Sequence, residues 1–278
     1  MNALSLTGGS RSGLSFAAQR QQELAGRSPA AAALLASPNN TLGIEYCRAL
    51  LRVGAAPALF TIPRTGAAHD ATPENAGGYS ASAIRHLLAE GRRADALSRM
   101  VPAMRTVYEV EEAAGRAPVF AAACGRAILA RLRSMTPAEF DALDTGHEGV
   151  GQRLYNASRN AATLDAVLDN AKTKRYAYAR LRRMVLWAYL GLSPAELPAS
   201  VPYLRVLAAN ETGRALLGRM RKTARFPVIT KPAAIRSLSP DSQRLFETES
   251  RAADLYALAY PELTEACGSL WRQNPVMP

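Results

Sequence analysis

Apolar residues recur at helical spacing along much of this chain. Leu181, Met184, Val185, Ala188 and Leu192 follow the i, i+3, i+4, i+7, i+11 pattern of one helix face. On the same predicted helix Lys172, Arg175, Tyr176, Arg182 and Arg183 fall on the opposite face. Upstream, residues 14–35 read as helical with a break at residues 26–29. The Ser-Pro-Asn-Asn turn at 37–40 opens a second helical pattern over 42–51. Residues 58–62 are short, apolar and bounded by prolines, which predicts a strand. A polar loop over 64–78 follows, and Ser80 or Ser82 opens a helix through Arg85, Leu87 and Leu88. Helix, strand, loop, helix is the rhythm of an α/β unit. After residue 95 strand signals thin out. Pro102, Pro118, Pro137, Pro194, Pro198 and Pro202 punctuate successive helices, with possible strands at 203–208 and 226–230. The predicted fold class is therefore α/β over residues 1–95, followed by a mainly α-helical part over 96–278.

Charge sharpens this picture. The net +11 of the 278 residues is concentrated in one segment. Residues 151–236 hold 16 Lys and Arg against 4 Asp and Glu, and residues 237–278 reverse the sign with 3 against 6. Between Lys172 and Arg183 stand six cations and two tyrosines, and no acidic residue occurs between Asp169 and Glu196. Solvated helices commonly interleave signs for i, i+4 pairing. A basic, aromatic stripe without acids instead fits an anionic partner, with cations for phosphates and rings for bases. Cys47, Cys124 and Cys267 form neither a disulfide framework nor a metal-ligand spacing, and are expected as small buried apolar groups. No basic-then-apolar leader and no run of about 18 apolar residues occurs, so the expectation is a cytoplasmic protein with no membrane span.

The residues with chemical potential are few. The amides of Asn39 and Asn40 can cap a helix or pair with a base edge or ribose. Arg64 follows the predicted strand, where α/β sheets place ligands. Ser80 and Ser82 set hydroxyls at a helix start with Arg85 one turn on, a constellation that can hold a phosphate or merely cap the helix. His69 and Asp70 form a neighbouring pair, while His86 and His147 stand alone and read as structural. No catalytic residue and no metal site is assigned.

Several stretches together resemble the tRNA(Met) cytidine acetate ligase family, a branch of the HxGH nucleotidyltransferase superfamily. They are Gly-Leu-Ser-Phe-Ala at 13–17, Ser-Pro-Asn-Asn-Thr-Leu-Gly-Ile-Glu-Tyr at 37–46, Thr-Ile-Pro-Arg at 61–64 and Ala-His-Asp at 68–70. Ser-Ala-Ser-Ala-Ile-Arg at 80–85, Lys-Thr-Lys-Arg-Tyr at 172–176 with Arg180 to Arg183, Tyr-Leu-Arg-Val-Leu at 203–207, Pro-Val-Ile-Thr-Lys at 227–231 and Ala-Ala-Asp-Leu-Tyr at 252–256 continue the order. The resemblance implies a partial Rossmann-like nucleotidyltransferase domain followed by a helical tRNA-binding domain. It implies an enzyme that activates acetate with ATP as acetyl-adenylate and transfers the acetyl group to the wobble cytidine of elongator tRNA(Met). By the same resemblance Asn39, Asn40, Arg64, Ser80, Ser82 and Arg85 would contact ATP. Lys172, Lys174, Arg175, Tyr176, Arg180, Arg182 and Arg183 would contact tRNA. Magnesium is compatible with such chemistry but is not legible in the residues.

The chain departs from the family in one respect. It has three histidines, and none forms HxGH; Asp-Thr-Gly-His at 144–147 does not match it. The expectation is a chain that begins partway through the nucleotidyltransferase domain and adenylates weakly or not at all by itself. Two alternatives stand beside the ligase: a non-catalytic RNA-binding remnant, and a nucleotidyltransferase with a small substrate.

Overall fold

A computed structural model describes residues 16–35, 37–62, 80–144, 149–263 and 266–277. Its N-terminal portion is three helices, α1 (Phe16–Ala25), α2 (Pro29–Leu35) and α3 (Pro38–Val53), of which α2 packs between the other two. The break predicted at 26–29 is therefore real. Gly54, at φ 65°, ends α3 in the left-handed conformation, and its N–H and that of Ala55 reach back to carbonyls of the last turn.

Residues 58–62, predicted as a strand, pair with nothing among the described residues, and Phe60 and Ile62 stand more than 90% exposed, at 91% and 93%. Short apolar runs carry β propensity, but a strand exists only when a neighbour takes up its N–H and C=O groups. Among the described residues the sheet lies elsewhere. β1 (Leu204–Arg205) and β2 (Val228–Ile229) pair in parallel, Leu204 opposite Val228, within the two stretches predicted for strands in the basic half.

After α4 (Ala81–Ala89), α5 (Arg93–Ser98) and α6 (Pro102–Ala113), the main core begins at α7 (Gly125–Ser134). It continues through α8 (Pro137–Ala142), α9 (Val150–Asn160), α10 (Leu164–Ala171) and α11 (Tyr178–Leu190). Leu132, Phe140, Val150, Leu154, Val167 and Leu181 meet there with no solvent exposure. Burying each such side chain contributes roughly 1.5–3 kcal/mol. Helices α8 and α9 approach closely at Gly151, where a Cβ would lie 2.6 Å from the Phe140 carbonyl oxygen. The helix starts follow capping rules. Thr136 and Glu139 form a reciprocal capping box on α8, and Thr163 caps α10.

A second, smaller core gathers Tyr203, Ile229, Ile235, Phe246 and Leu270 beneath the two strands. It draws on β2, α13 (Pro240–Ala257) and α14 (Ser269–Arg272), while α12 (Glu211–Thr223), between the two strands in sequence, contributes no residue to it. Cys124 is buried as expected, whereas Cys47 and Cys267 are exposed. Cys47 lies on α3, none of whose described side chains is buried, and position within an element rather than residue type decides its fate. No helix among the described residues is long and apolar enough to cross a membrane.

Candidate functional site

The basic stretch divides at residue 177. Residues 172–177 are a turn, and α11 starts only at Tyr178. Local hydrogen bonds end the helical run that periodicity predicts. Lys172 closes α10, its N–H donating to the Asp169 and Leu168 carbonyls, and the Thr173 hydroxyl accepts the N–H groups of Arg175 at 3.2 Å and Tyr176 at 3.1 Å. A hydroxyl that captures the backbone ahead of it competes with helix formation.

The turn redistributes the predicted interface. Tyr176, expected on the basic face, is only 7% exposed and belongs to the main core. Arg175 and Arg180 are half-buried, and their guanidinium carbons sit 5.8 and 5.7 Å from the Tyr176 ring centroid. Lys172, Lys174, Arg182 and Arg183 are exposed and form no ion pair among the described residues. Tyr178 organises two of them. Its ring has Lys172 Nζ at 5.1 Å and the Arg182 guanidinium at 5.6 Å, and its hydroxyl donates to the Asp169 carboxylate. That bond, above all, raises the Tyr178 pKa over its ordinary value. Cation–π contact holds two like charges side by side where simple repulsion would separate them.

Arg180 is fixed from beneath. Its Nη2 lies 2.9 Å from Asp144 Oδ1, and Asp144 Oδ2 accepts the Val150 N–H at the start of α9. In the sequence Asp144 carries one signal only, an acid a few residues ahead of a helix start, where the N-terminal dipole favours negative charge.

Other arginines of the basic segment are structural. Arg153 donates to the carbonyls of Ala171 and Asn170, closing α10. Arg159 donates to those of Arg133 and Met135, while Arg133, upstream of the segment, donates in return to that of Ala161. Part of the +12 excess therefore satisfies helix ends that would otherwise lack donors.

The residues expected to touch a nucleotide lie upstream. Asn39 and Asn40 occupy the first turn of α3 and are exposed; Ser37 holds the N-cap position, so the asparagines are not caps. Ser80 is buried and its hydroxyl accepts the Ala83 N–H at 3.1 Å, so it caps α4. Ser82 and Arg85 project from the first turns of that helix and are exposed. Arg64, His69, Asp70 and His147 lie outside the described residues. No hydrogen bond or ion pair joins the Asn39–Asn40 turn to the Ser80–Arg85 turn among the described residues. His86 pairs with Glu90 at 3.0 Å, in keeping with a structural role. No three His, Cys, Asp or Glu side chains converge as metal ligands among the described residues.

A family model described as HIGH Nucleotidyl Transferase matches residues 4–269. A tRNA(Met) cytidine acetate ligase of Alkaliphilus metalliredigens is 32% identical over 234 residues, covering 82% of this chain and 55% of the relative. That of Acetivibrio thermocellus is 30% identical over 282 residues, covering 95% and 67%. The crystal structure of apo Thermotoga maritima TmcAL superposes with a TM-score of 0.87 at 24% identity, covering 95% of this chain and 67% of that one. The same protein bound with alpha-thio ATP superposes with a TM-score of 0.84 at 23% identity. The chain thus spans between about half and two thirds of the length of these relatives.

Proposed function

The chain belongs to the tRNA(Met) cytidine acetate ligase family of HIGH nucleotidyl transferases, and on that premise we propose that it takes part in ATP-dependent acetylation of the wobble cytidine of elongator tRNA(Met). An acetate oxygen attacks the α-phosphate of ATP, the bond to pyrophosphate breaks, and acetyl-adenylate forms. The cytidine N4 amine then attacks the acetyl carbonyl. AMP leaves, and the amine gives up one proton. Such a sequence asks the protein for positioning and for cationic or N–H stabilisation of phosphate charge.

In this reading residues 1–95 face the nucleotide and 96–278 face the tRNA. Ser82, Arg85 and the N-terminus of α4 bind ATP phosphates, with Asn39, Asn40 and Arg64; Ser80 shapes that helix start as its cap. The alpha-thio ATP bound by the Thermotoga maritima protein supports ATP as the nucleotide. Lys172, Lys174, Arg182 and Arg183 contact the tRNA backbone, while Arg175, Tyr176 and Arg180 hold the turn that presents them. The observation that carries the tRNA assignment is this cluster of exposed cations gathered around Tyr178, none of them ion-paired among the described residues, with Asp169 engaged by the Tyr178 hydroxyl instead.

A second reading is an RNA-binding protein without adenylation of its own; the same exposed cations would hold a phosphate backbone whether or not an adenylate forms. Incubation with ATP, labelled acetate and elongator tRNA(Met) separates the two. ATP-dependent label on the tRNA establishes the ligase. Tight, salt-sensitive tRNA binding without label establishes the RNA-binding protein. In either case Arg182→Ala with Arg183→Ala should lower the steepness of log K against log salt by about 2, at roughly 0.7–0.9 per phosphate contact. An unchanged slope would sink the tRNA interface assigned here.

A further inference from the structure

A second cationic surface lies apart in sequence from the first. Helix α12 is the crossover of a parallel β–α–β unit between β1 and β2. Open α/β units bind ligands beyond the carboxyl ends of their strands. Here that end is occupied by Thr230 and Lys231, which directly follow β2, and by Asn274, drawn in by the parallel bridge between Ala208 and Val276. A cavity of about 370 Å³ opens at this place, with Arg214 and Arg221 of α12 on its wall.

Its composition points to an anion. Three cations line the cavity and no carboxylate does. None of Arg214, Arg221 and Lys231 forms an ion pair or a hydrogen bond through its side chain with a described residue. Elsewhere in the chain Arg93, Arg116, Arg131 and Arg180 each hold a carboxylate within 3.3 Å. None of the side chains of α12 is buried, so core packing does not account for its four cations. Arg214 and Arg221 stand seven residues apart and so share a face. At 1.5 Å per residue they are separated by about 10 Å along the helix, far enough to meet separate phosphates of one backbone. Three like charges around one concavity repel each other until an anion enters.

We propose that the cavity between α12 and the end of β2 is a second phosphate-contact surface, which grips the backbone of the same RNA that the 172–183 region contacts. The proposal rests on the RNA-binding reading above and adds a separate footprint to it. RNA is favoured over a free nucleotide because the cations are strung along a helix face in a concavity open to solvent.

The test uses the full chain and elongator tRNA(Met), with binding followed by fluorescence anisotropy from 50 to 200 mM salt. Arg214→Ala, Arg221→Ala and Lys231→Ala combined should lower the slope of log K against log salt by about 2 to 3 and weaken binding tenfold or more at the low-salt end. Arg214→Lys with Arg221→Lys should keep the slope, since a lysine remains a point charge for phosphate. Circular dichroism checks the fold; should the triple variant not fold, Arg214→Ala with Arg221→Ala is read instead, with an expected drop of about 2. A slope that stays at the wild-type value in these variants, while Arg182→Ala with Arg183→Ala lowers it, overturns this proposal and leaves the first interface standing. Loss of inorganic pyrophosphate binding with RNA binding intact also overturns it, and assigns the cavity to a small anion. If the wild-type chain binds no RNA, both readings fall together.

Discussion

Asp144 holds Arg180 at 2.9 Å beneath the basic surface, with the carboxylate 4% exposed and the guanidinium 26% exposed. The same carboxylate accepts the Val150 N–H at the start of α9. One buried acid thus ties the last helix of the main core to the first turn of another. Asp144→Ala removes an acceptor from a buried donor and strips a partly buried cation of its partner, and should cost about 2–3 kcal/mol in urea unfolding. Its effect on RNA is the sharper test. Deleting a negative charge from a basic protein should tighten RNA binding if electrostatics alone mattered. Weaker binding by the folded variant would show that Asp144 acts by placing Arg180.

Tyr176 and Tyr178 stand two residues apart and should behave differently. Tyr176 lies in the main core, so Tyr176→Ala should destabilise by about 3–5 kcal/mol. Tyr178 is half-buried at the edge of that core and gathers Lys172 and Arg182, so Tyr178→Ala should cost less stability than Tyr176→Ala but weaken RNA binding. Thermal melts and anisotropy on the two variants settle the contrast, and equal melting losses would refute it.

Gly151 lies where α9 meets the backbone of α8. A methyl group there would stand 2.6 Å from the Phe140 carbonyl oxygen, which a backbone cannot yield cheaply. Gly151→Ala should therefore cost about 1–3 kcal/mol, although alanine is the better helix former by about 1 kcal/mol. A variant as stable as the parent would mean the two helices can separate without loss.

Acid should weaken the fold through three glutamates. Arg116 holds the Glu111 carboxyl below its ordinary range, Arg93 does the same for Glu112, and the Thr136 N–H does so for Glu139. Each binds its proton more weakly folded than unfolded. Their contribution is full above the unfolded value of about 4.3 and disappears as pH falls through the lower folded values. Urea midpoints measured from pH 6 down to pH 3 should fall, and Glu139→Gln should fall less steeply. A parallel decline would show that the capping box is indifferent to charge.

Most of the helical elements, their start signals and the segment in which charge accumulates are legible in the residues alone. Each depends on neighbours within a turn or two. Thr136, Thr163 and Ser80 cap the helices they precede, and Leu181, Met184, Val185 and Ala188 form the buried stripe their spacing implies. Local residue order also carried the family resemblance. Tertiary structure alone decided what each charge and ring does. Tyr176 is chemically fit for a basic surface, yet the Thr173 turn sends it into the core. Arg153, Arg159 and Arg180 count as surface charge in any tally, yet they satisfy carbonyls and a carboxylate far away in sequence. Residues 58–62 have strand composition but no strand beside them among the described residues. Partnership of this kind is set by which atoms meet across the fold, and periodicity along the chain carries no record of it.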